Sequence, residues 1–501
     1  MGKIWCAAVF AAFLFAGGAR AQDVTLTARD GGITLTGTLL GFDGEFYRVE
    51  TGYGLLTVDG DGVICTGPGC PDLTVPLAVI RILGARDPGM GLLPGVLTAF
   101  AQSRGLVIEV SYPETGFAAE ITDPVTGKPL ARISFAPTGP EAARAAVASG
   151  AAELAVAARE EPGMTARVLA LDALVPIVAA DNRLPRITTA DLARALSGGV
   201  ASWSDLGGPD MPLVLHALAR DTSLQEALEA RLGRPVAATV VHDDLASLAA
   251  AVARDPWALA LTGLSAQGKA RALAVTDSCG FPLLPTALGV KAGDYPLSLP
   301  LFLLTPHRRL PLLAREFIEF LAAPQAQAAV AAGGHINRAA ERQPLTADGL
   351  RLINAIRGAG DEVTLTDLKR LADLMAGADR LSLTFRFQDG SSALDAQSRE
   401  NLSDLARLLE VDAFRGQQLI LAGFSDGSGN AAANMALSRN RADGVAASLR
   451  AAVDLPEGLP QVTVEAFGEA LPMACDTTAA GRQLNRRVEL WLRPATGSPV
   501  P

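Results

Sequence analysis

"GFSDGSGNAAANMALSRNRA" spans residues 423–442 and decides how the C-terminal part of the chain is read. From Ser425 to Asn430 it contains only small or polar residues, with one acid, Asp426. The apolar "QQLILAG" that runs into it predicts a strand, and "AAANMALSRNRADGVAASLRAAV" after it predicts a helix. Upstream, "RLSLTFRFQDGSSALDAQSRENLSDLARLLEV" opens with alternating Leu381, Leu383, Phe385 and Phe387, a half-buried strand. It then becomes a helix with Leu402, Leu405, Leu408 and Leu409 on one side. Downstream, "QVTVEAFGE" and "RRVELWL" supply two further strands. The expected domain over 381–495 is a β-α-β-α-β unit with its helices on one face of the sheet.

Five pieces in this order resemble the OmpA-like peptidoglycan-binding domain: Gly423-Phe424-Ser425-Asp426, Asn434, Leu437-Ser438-Arg439-Asn440-Arg441-Ala442, Phe467-Gly468-Glu469 and Asn485-Arg486-Arg487-Val488. Phe424 and Ser425 stand where that family usually has His and Thr, and the acid is kept. The resemblance implies a site for the diaminopimelate of the wall stem peptide, which offers both an ammonium and a carboxylate. Asp426 would accept from the ammonium and Arg441 grip the carboxylate bidentately. Asn434 and Ser425 would complete the site, with Asn485, Arg486 and Arg487 in support. The residues alone leave another reading open, with Asp426 capping the helix and Arg441 in an internal salt bridge.

From "VIRILGARD" at residue 79 to about 338, apolar runs alternate with Ala-rich helical segments, the pattern of βα units around a mostly parallel sheet. "IRILGA", "LVIEVSY", "AELAVAA", "ALVPIVAA", "PLVLHAL" and "DPWALALTGL" read as strands, and "LLAREFIEFLAAPQAQAAVAAGG" as one closing helix. Two α/β lobes enclosing a cleft follow. "ALVPIVAADNRLPRITTADLARALSGGVASWSDLGGPDMPL", with Trp203 and Gly207-Gly208, and "KAGDYPLSLPLFLL", with Tyr295, Pro296 and Pro300, resemble the type 2 periplasmic solute-binding proteins, especially the phosphate-binding component of ABC importers. That resemblance implies an oxyanion held by hydroxyls and amides at helix N-termini, helped by arginine. Candidates are Arg86, Arg159, Arg220, Thr222 and Ser223. The family's Ser-Gly-Thr run is absent here, and simple N-capping by Asp221 or Thr222 explains the last loop equally well.

Residues 22–78 read as short alternating strands broken by "DGG", "DGE" and "DGDG" turns, a small β-barrel or sandwich. Residues 339–380 read as a polar helical connector. The first residues, "MGKIWCAAVFAAFLFAGGARAQ", have the form of a secretory signal peptide over 1–21 that ends in an A-x-A site. Its apolar run falls short of the roughly 20 residues a bilayer requires. Removing it deletes Lys3 and Arg20 and takes the formal charge from −10 to about −12, which disfavours nucleic acid or an anionic membrane as partner.

Export favours disulfides among Cys65, Cys70, Cys279 and Cys475. Cys65 and Cys70 flank one Gly/Pro turn and are expected to pair, while a Cys279–Cys475 bond would link two domains. His216, His242, His307 and His335 show no triad spacing. "VVHDDLAS" reads as a solvated turn, so no metal or cofactor site is expected. The chain therefore reads as a non-enzymatic α/β and α+β multidomain protein of the periplasm, cell-wall or outer-membrane associated. It would bind phosphate or a related anion, with an ABC permease or an envelope protein as further partner. The alternative is an envelope scaffold or sensor whose cleft domain holds a protein and no small ligand.

Overall fold

The computed structural model describes residues 24–29, 31–42, 45–70, 77–345, 349–358, 362–388, 391–453 and 462–495. The signal-peptide segment 1–21 lies outside the described residues. The chain divides into two compact units, residues up to Ala78 together with Arg309–Leu313, and the remainder.

In the first unit, strands Val24–Ala28, Thr34–Phe42, Phe46–Thr51, Gly54–Asp59 and Val63–Thr66 form one antiparallel sheet. The order runs fourth, third, second, first, fifth, and no pairing closes its two outer strands among the described residues. It is an open sheet and neither of the two expected forms. Its apolar side buries Val24, Leu26, Tyr47, Val49 and Val63, and Phe42 stacks on Tyr47 at 4.4 Å. Cys65 and Cys70 are bonded across the Gly/Pro turn.

The larger unit holds the two lobes. In the first lobe, Ala78–Gly84 pairs in parallel with Leu154–Ala157. A hairpin from Phe117–Thr122 to Pro129–Pro137, with Val107–Ser111 at its edge, extends the sheet. In the second lobe, Val214–Leu218 pairs in parallel with Val240–His242 and Ala258–Gly263. Two long strands join the lobes. Thr165–Val178 lies antiparallel to Ser298–Thr305 over its first half and to Ala258–Gly263 over its second. The sheet is thus mixed, because these hinge strands and the hairpin run antiparallel within the parallel pattern read from the βα rhythm. The closing helix is also divided, into Leu312–Phe320 and Pro324–Ala332. Pro324 lacks the amide proton that a continuous helix needs and instead opens the second helix at its first turn.

The C-terminal sheet runs Arg342–Pro344, Asp379–Arg386, Arg487–Pro494, Gln417–Phe424, Val462–Ala466. Helices Ala396–Glu410 and Ala431–Ala452 cover one face through Leu405, Leu409, Val445 and Leu449, against Leu419, Leu421, Leu490 and Leu492. The other face, with Ile420, Ala422, Phe424 and Trp491, is covered by Leu371 and Met375 of Leu365–Met375 and Ala355 of Gly349–Gly358. Helices Gly349–Gly358 and Leu365–Met375, within the segment read as a connector, therefore form a layer of this domain, and helices lie on both faces. The strands require it: Leu419–Phe424 is buried at every position, and a sheet apolar on both sides needs two covers.

Candidate functional site

Two concave sites emerge. In the C-terminal domain, Asp426 lies two residues beyond the strand Gln417–Phe424, and Arg441 projects from the middle of Ala431–Ala452. Asp426 does not cap that helix; Asn430 does, accepting from the Ala433 amide at 2.8 Å. Asp426 instead accepts the Ser428 amide at 3.0 Å and lies 3.6 Å from the Arg486 guanidinium. The Arg441 guanidinium sits over the Phe387 ring at 5.6 Å, and its Nη1 has no hydrogen-bond partner among the described residues. Burial lowers its pKa, Arg486 adds to the fall, and Asp426 opposes it. Arg441 and Arg486 line one cavity of about 590 Å³ with Phe387, Gln388, Asn440 and Gln483. Two arginines thus line the cavity and the acid lies 3.6 Å from one of them, a set of charges able to pair with a zwitterion.

The loop is tightly built. Gly423 packs where an added Cβ would lie 2.1 Å from the Ser438 carbonyl oxygen, so the strand end must be glycine. Ser438 accepts the Gly468 amide at 3.1 Å. The Ser425 amide donates to the Gly468 carbonyl at 2.7 Å, while its buried hydroxyl has no partner among the described residues. Asn434 is buried and donates to Glu469 at 3.3 Å. Burial raises the Glu469 pKa, Glu362 adds to it, and Asp476 and Asp426 do so further.

Asn485 accepts the Met473 and Ala474 amides and donates to Asp476 at 2.5 Å, bracing the loop at residues 473–476. Arg487 is fully buried over the Phe424 ring at 4.4 Å, part of the core and away from solvent. Gln388, Gln483 and Asp476 were not singled out in the sequence, and Phe387 was read only as a strand position. Only their approach to Arg441 or the 426–428 loop through tertiary contacts marks them.

The second site is the cleft between the lobes, a cavity of about 460 Å³. Three helices present N-termini without side-chain caps to it: Arg86–Ser103 after Ala85, Pro140–Ser149 after Gly139 and Ser223–Leu232 after Thr222. By contrast, Thr188, Asp244 and Thr286 cap the helices that follow them. The Ser223 hydroxyl lines the cleft, is buried, and has no partner among the described residues. The Thr222 hydroxyl is committed to the Ala219 carbonyl at 2.8 Å. Of the arginines expected together, the structure brings only Arg86 to the cleft. Arg159 pairs with Glu226 at 3.5 Å and lines a separate depression, and Arg220, 69% exposed, turns from the preceding loop towards Glu229 at 3.7 Å. Each is drawn away by a carboxylate on Ser223–Leu232.

The cleft also holds acids. Asp172 is internally satisfied by the Ala173 amide and by Ser265. Burial pushes the Asp87 carboxyl up, Asp244 adds to the rise, and Arg86 opposes it. No group of three or more His, Cys, Asp or Glu side chains able to hold a metal occurs among the described residues.

Comparison with known proteins gives two matches to family models. Residues 386–486 match the OmpA family and residues 106–325 the PBP superfamily domain. The outer-membrane lipoprotein YfiB of Pseudomonas aeruginosa is 36% identical over 107 residues, covering 21% of this chain and 59% of that protein. Protein SphX of Synechococcus elongatus is 31% identical over 150 residues, covering 27% and 44%. The chain thus spans about half the length of the curated relatives it matches. Among solved structures, an ABC-type phosphate transport receptor from Vibrio cholerae aligns over 51% of this chain and 99% of its own, at 17% identity and a TM-score of 0.41.

Proposed function

We propose that this chain, with a binding-protein-like domain and an OmpA-family domain, is a non-enzymatic binding protein of the periplasm held non-covalently on peptidoglycan. The observation that carries the reading is Arg441. Its side chain lines a cavity with Arg486, which lies 3.6 Å from Asp426, and one of its guanidinium nitrogens is buried without a hydrogen-bond partner among the described residues, in the domain that matches the OmpA family. On this reading a stem-peptide carboxylate pairs with the guanidinium, and the paired ammonium has Asp426 to accept it. Wild-type protein should sediment with purified sacculi, whereas Asp426→Ala and Arg441→Ala should remain in the supernatant; sedimentation of both variants would remove the site assignment.

For the cleft, the proposed ligand is phosphate or a related oxyanion, with an ABC permease as the proposed recipient. Three uncapped helix N-termini and the Ser223 hydroxyl support it, since unpaired amides and the helix dipole favour negative charge. Native mass spectrometry of the full chain should show one phosphate adduct that Arg86→Ala and Ser223→Ala weaken. The second reading, an envelope scaffold whose central domain holds a protein, is favoured by the position of Arg159 and Arg220 outside the cleft. No adduct with phosphate, sulfate or small carboxylates would decide for it.

A further inference from the structure

The loop that carries Asp426 is braced from outside its own domain. Asp476 accepts the Gly427 amide at 2.6 Å through one oxygen and the Asn485 side-chain amide at 2.5 Å through the other. Gly427 directly follows Asp426, so Asp476 fixes the peptide unit beside the acid.

Asp476 is fixed in turn by its neighbour. Cys475 is bonded to Cys279, and its amide donates to the Asp277 carboxylate at 2.7 Å. The hydroxyls of Thr477 and Ser278 also meet at 2.8 Å. The other Asp277 oxygen accepts the Cys279 and Phe281 amides at 3.0 and 2.7 Å, which closes the turn that presents Cys279. Asp277, Ser278 and Cys279 all lie between the strands Ala274–Thr276 and Pro282–Leu283 of the second lobe. The two sulfur-bearing residues differ in access, with Cys475 at 9% exposure and Cys279 exposed. An incoming thiolate therefore reaches the disulfide from the Cys279 side.

We propose that the Cys279–Cys475 disulfide is a thiol-sensitive control on wall binding: the second lobe holds the Asp426 loop in its binding shape through Cys475 and Asp476. This rests on the wall-binding reading above. The reductant is a dithiol. Its thiolate attacks Cys279 Sγ, the protein S–S bond breaks, and Cys475 leaves as a thiolate that takes up a proton. The second thiol of the reductant then displaces Cys279. Two electrons pass to the protein, which gains two thiols, and the dithiol becomes a disulfide. With the bond gone, Asp476 is left on hydrogen bonds alone, the Gly427 peptide is freed, and Asp426 loses its fixed position. Asp476 is thus a positioning residue.

The test is calorimetric titration of meso-diaminopimelic acid into the full chain carrying Cys65→Ala and Cys70→Ala, so that only the interdomain disulfide responds. Reduction with dithiothreitol should weaken binding by about tenfold, and reoxidation should restore it. Asp476→Ala should show the same loss while still oxidised and no further loss on reduction, a non-additivity that a purely structural disulfide does not produce. Equal affinity of the oxidised and reduced chains overturns the proposal, as does a full further loss when Asp476→Ala is reduced. Where circular dichroism shows that reduction unfolds the chain, the oxidised Asp476→Ala variant decides: near-parental affinity overturns the proposal. No binding by the oxidised chain removes the wall-binding reading itself, and this inference with it.

Discussion

Arg441 shows what one side chain owes to its geometry. A guanidinium over an aromatic ring, on a side chain that lines a cavity, is a planar fork that an ammonium does not reproduce. Arg441→Lys keeps the charge, yet we expect it to weaken diaminopimelate binding about tenfold in calorimetric titration, since losing one charge-assisted bond costs about 1.5 kcal/mol or more. The placement of Asp426 just past a strand and of Arg441 on the next helix was legible in the sequence because it is local: a small-residue loop ends a strand, and a helix follows. Ser425 and Asn434 were legible for the same reason. Arg159 and Arg220 were misleading because an arginine goes to the nearest buried or half-buried carboxylate. The positions of Glu226 and Glu229 are a property of the folded helix and not of the loop that was read. Phe387 and Asp476 carry no motif at all.

Among the elements, the second cover on the C-terminal sheet has the largest consequence. Leu365–Met375 begins with a capping box at Thr364 and Asp367, and it buries Leu371 and Met375 against Phe424, Phe467 and Trp491. A chain cut to residues 381–495 exposes that face and should aggregate, whereas 339–495 should be monodisperse by gel filtration. Trp491→Ala in the full chain should cost about 3–5 kcal/mol in urea unfolding, the usual range for deleting a buried aromatic ring. The polarity of 339–380 hid this role, because only one stripe of each helix is apolar and the stripe is narrow. The strand order was equally hidden. Parallel and antiparallel neighbours bury similar apolar runs, so the rhythm of strands and helices does not reveal the two hinge strands.

At the scale of the larger unit, buried charge joins the central and C-terminal domains. Asp294 accepts from Arg380 at 2.7 Å and from Arg386 at 3.0 Å. Nearby, Glu489 meets Arg351 and Arg487 at 2.5 and 2.6 Å. Burial alone would raise the Asp294 carboxyl, but Arg380 and Arg351 outweigh it and hold the group below its usual range. Burial acts likewise on Glu489, where Arg351, Arg380 and Arg487 prevail. Both folded-state pKa values are depressed, so this stability is present above the ordinary carboxylate range near pH 4 and is lost as pH falls below it. Thermal melts should show the midpoint dropping between about pH 4 and pH 2, less steeply in Asp294→Asn. At neutral pH that variant should cost roughly 3–5 kcal/mol, because two buried guanidinium groups lose their charged partner.

The C-terminal domain also grips both sides of the hinge. Arg399 and the Ala396 amide hold Glu160, just beyond the first-lobe strand Leu154–Ala157. Glu400 pairs with Arg338, which follows Pro324–Ala332, while Cys475 is bonded into the second lobe. A joint bridged in this way is splinted: the lobes cannot swing about Thr165–Val178 and Ser298–Thr305 without loading the C-terminal domain. Should the domain bind the wall as proposed, tension taken up there is, by the same linkage, tension across the cleft.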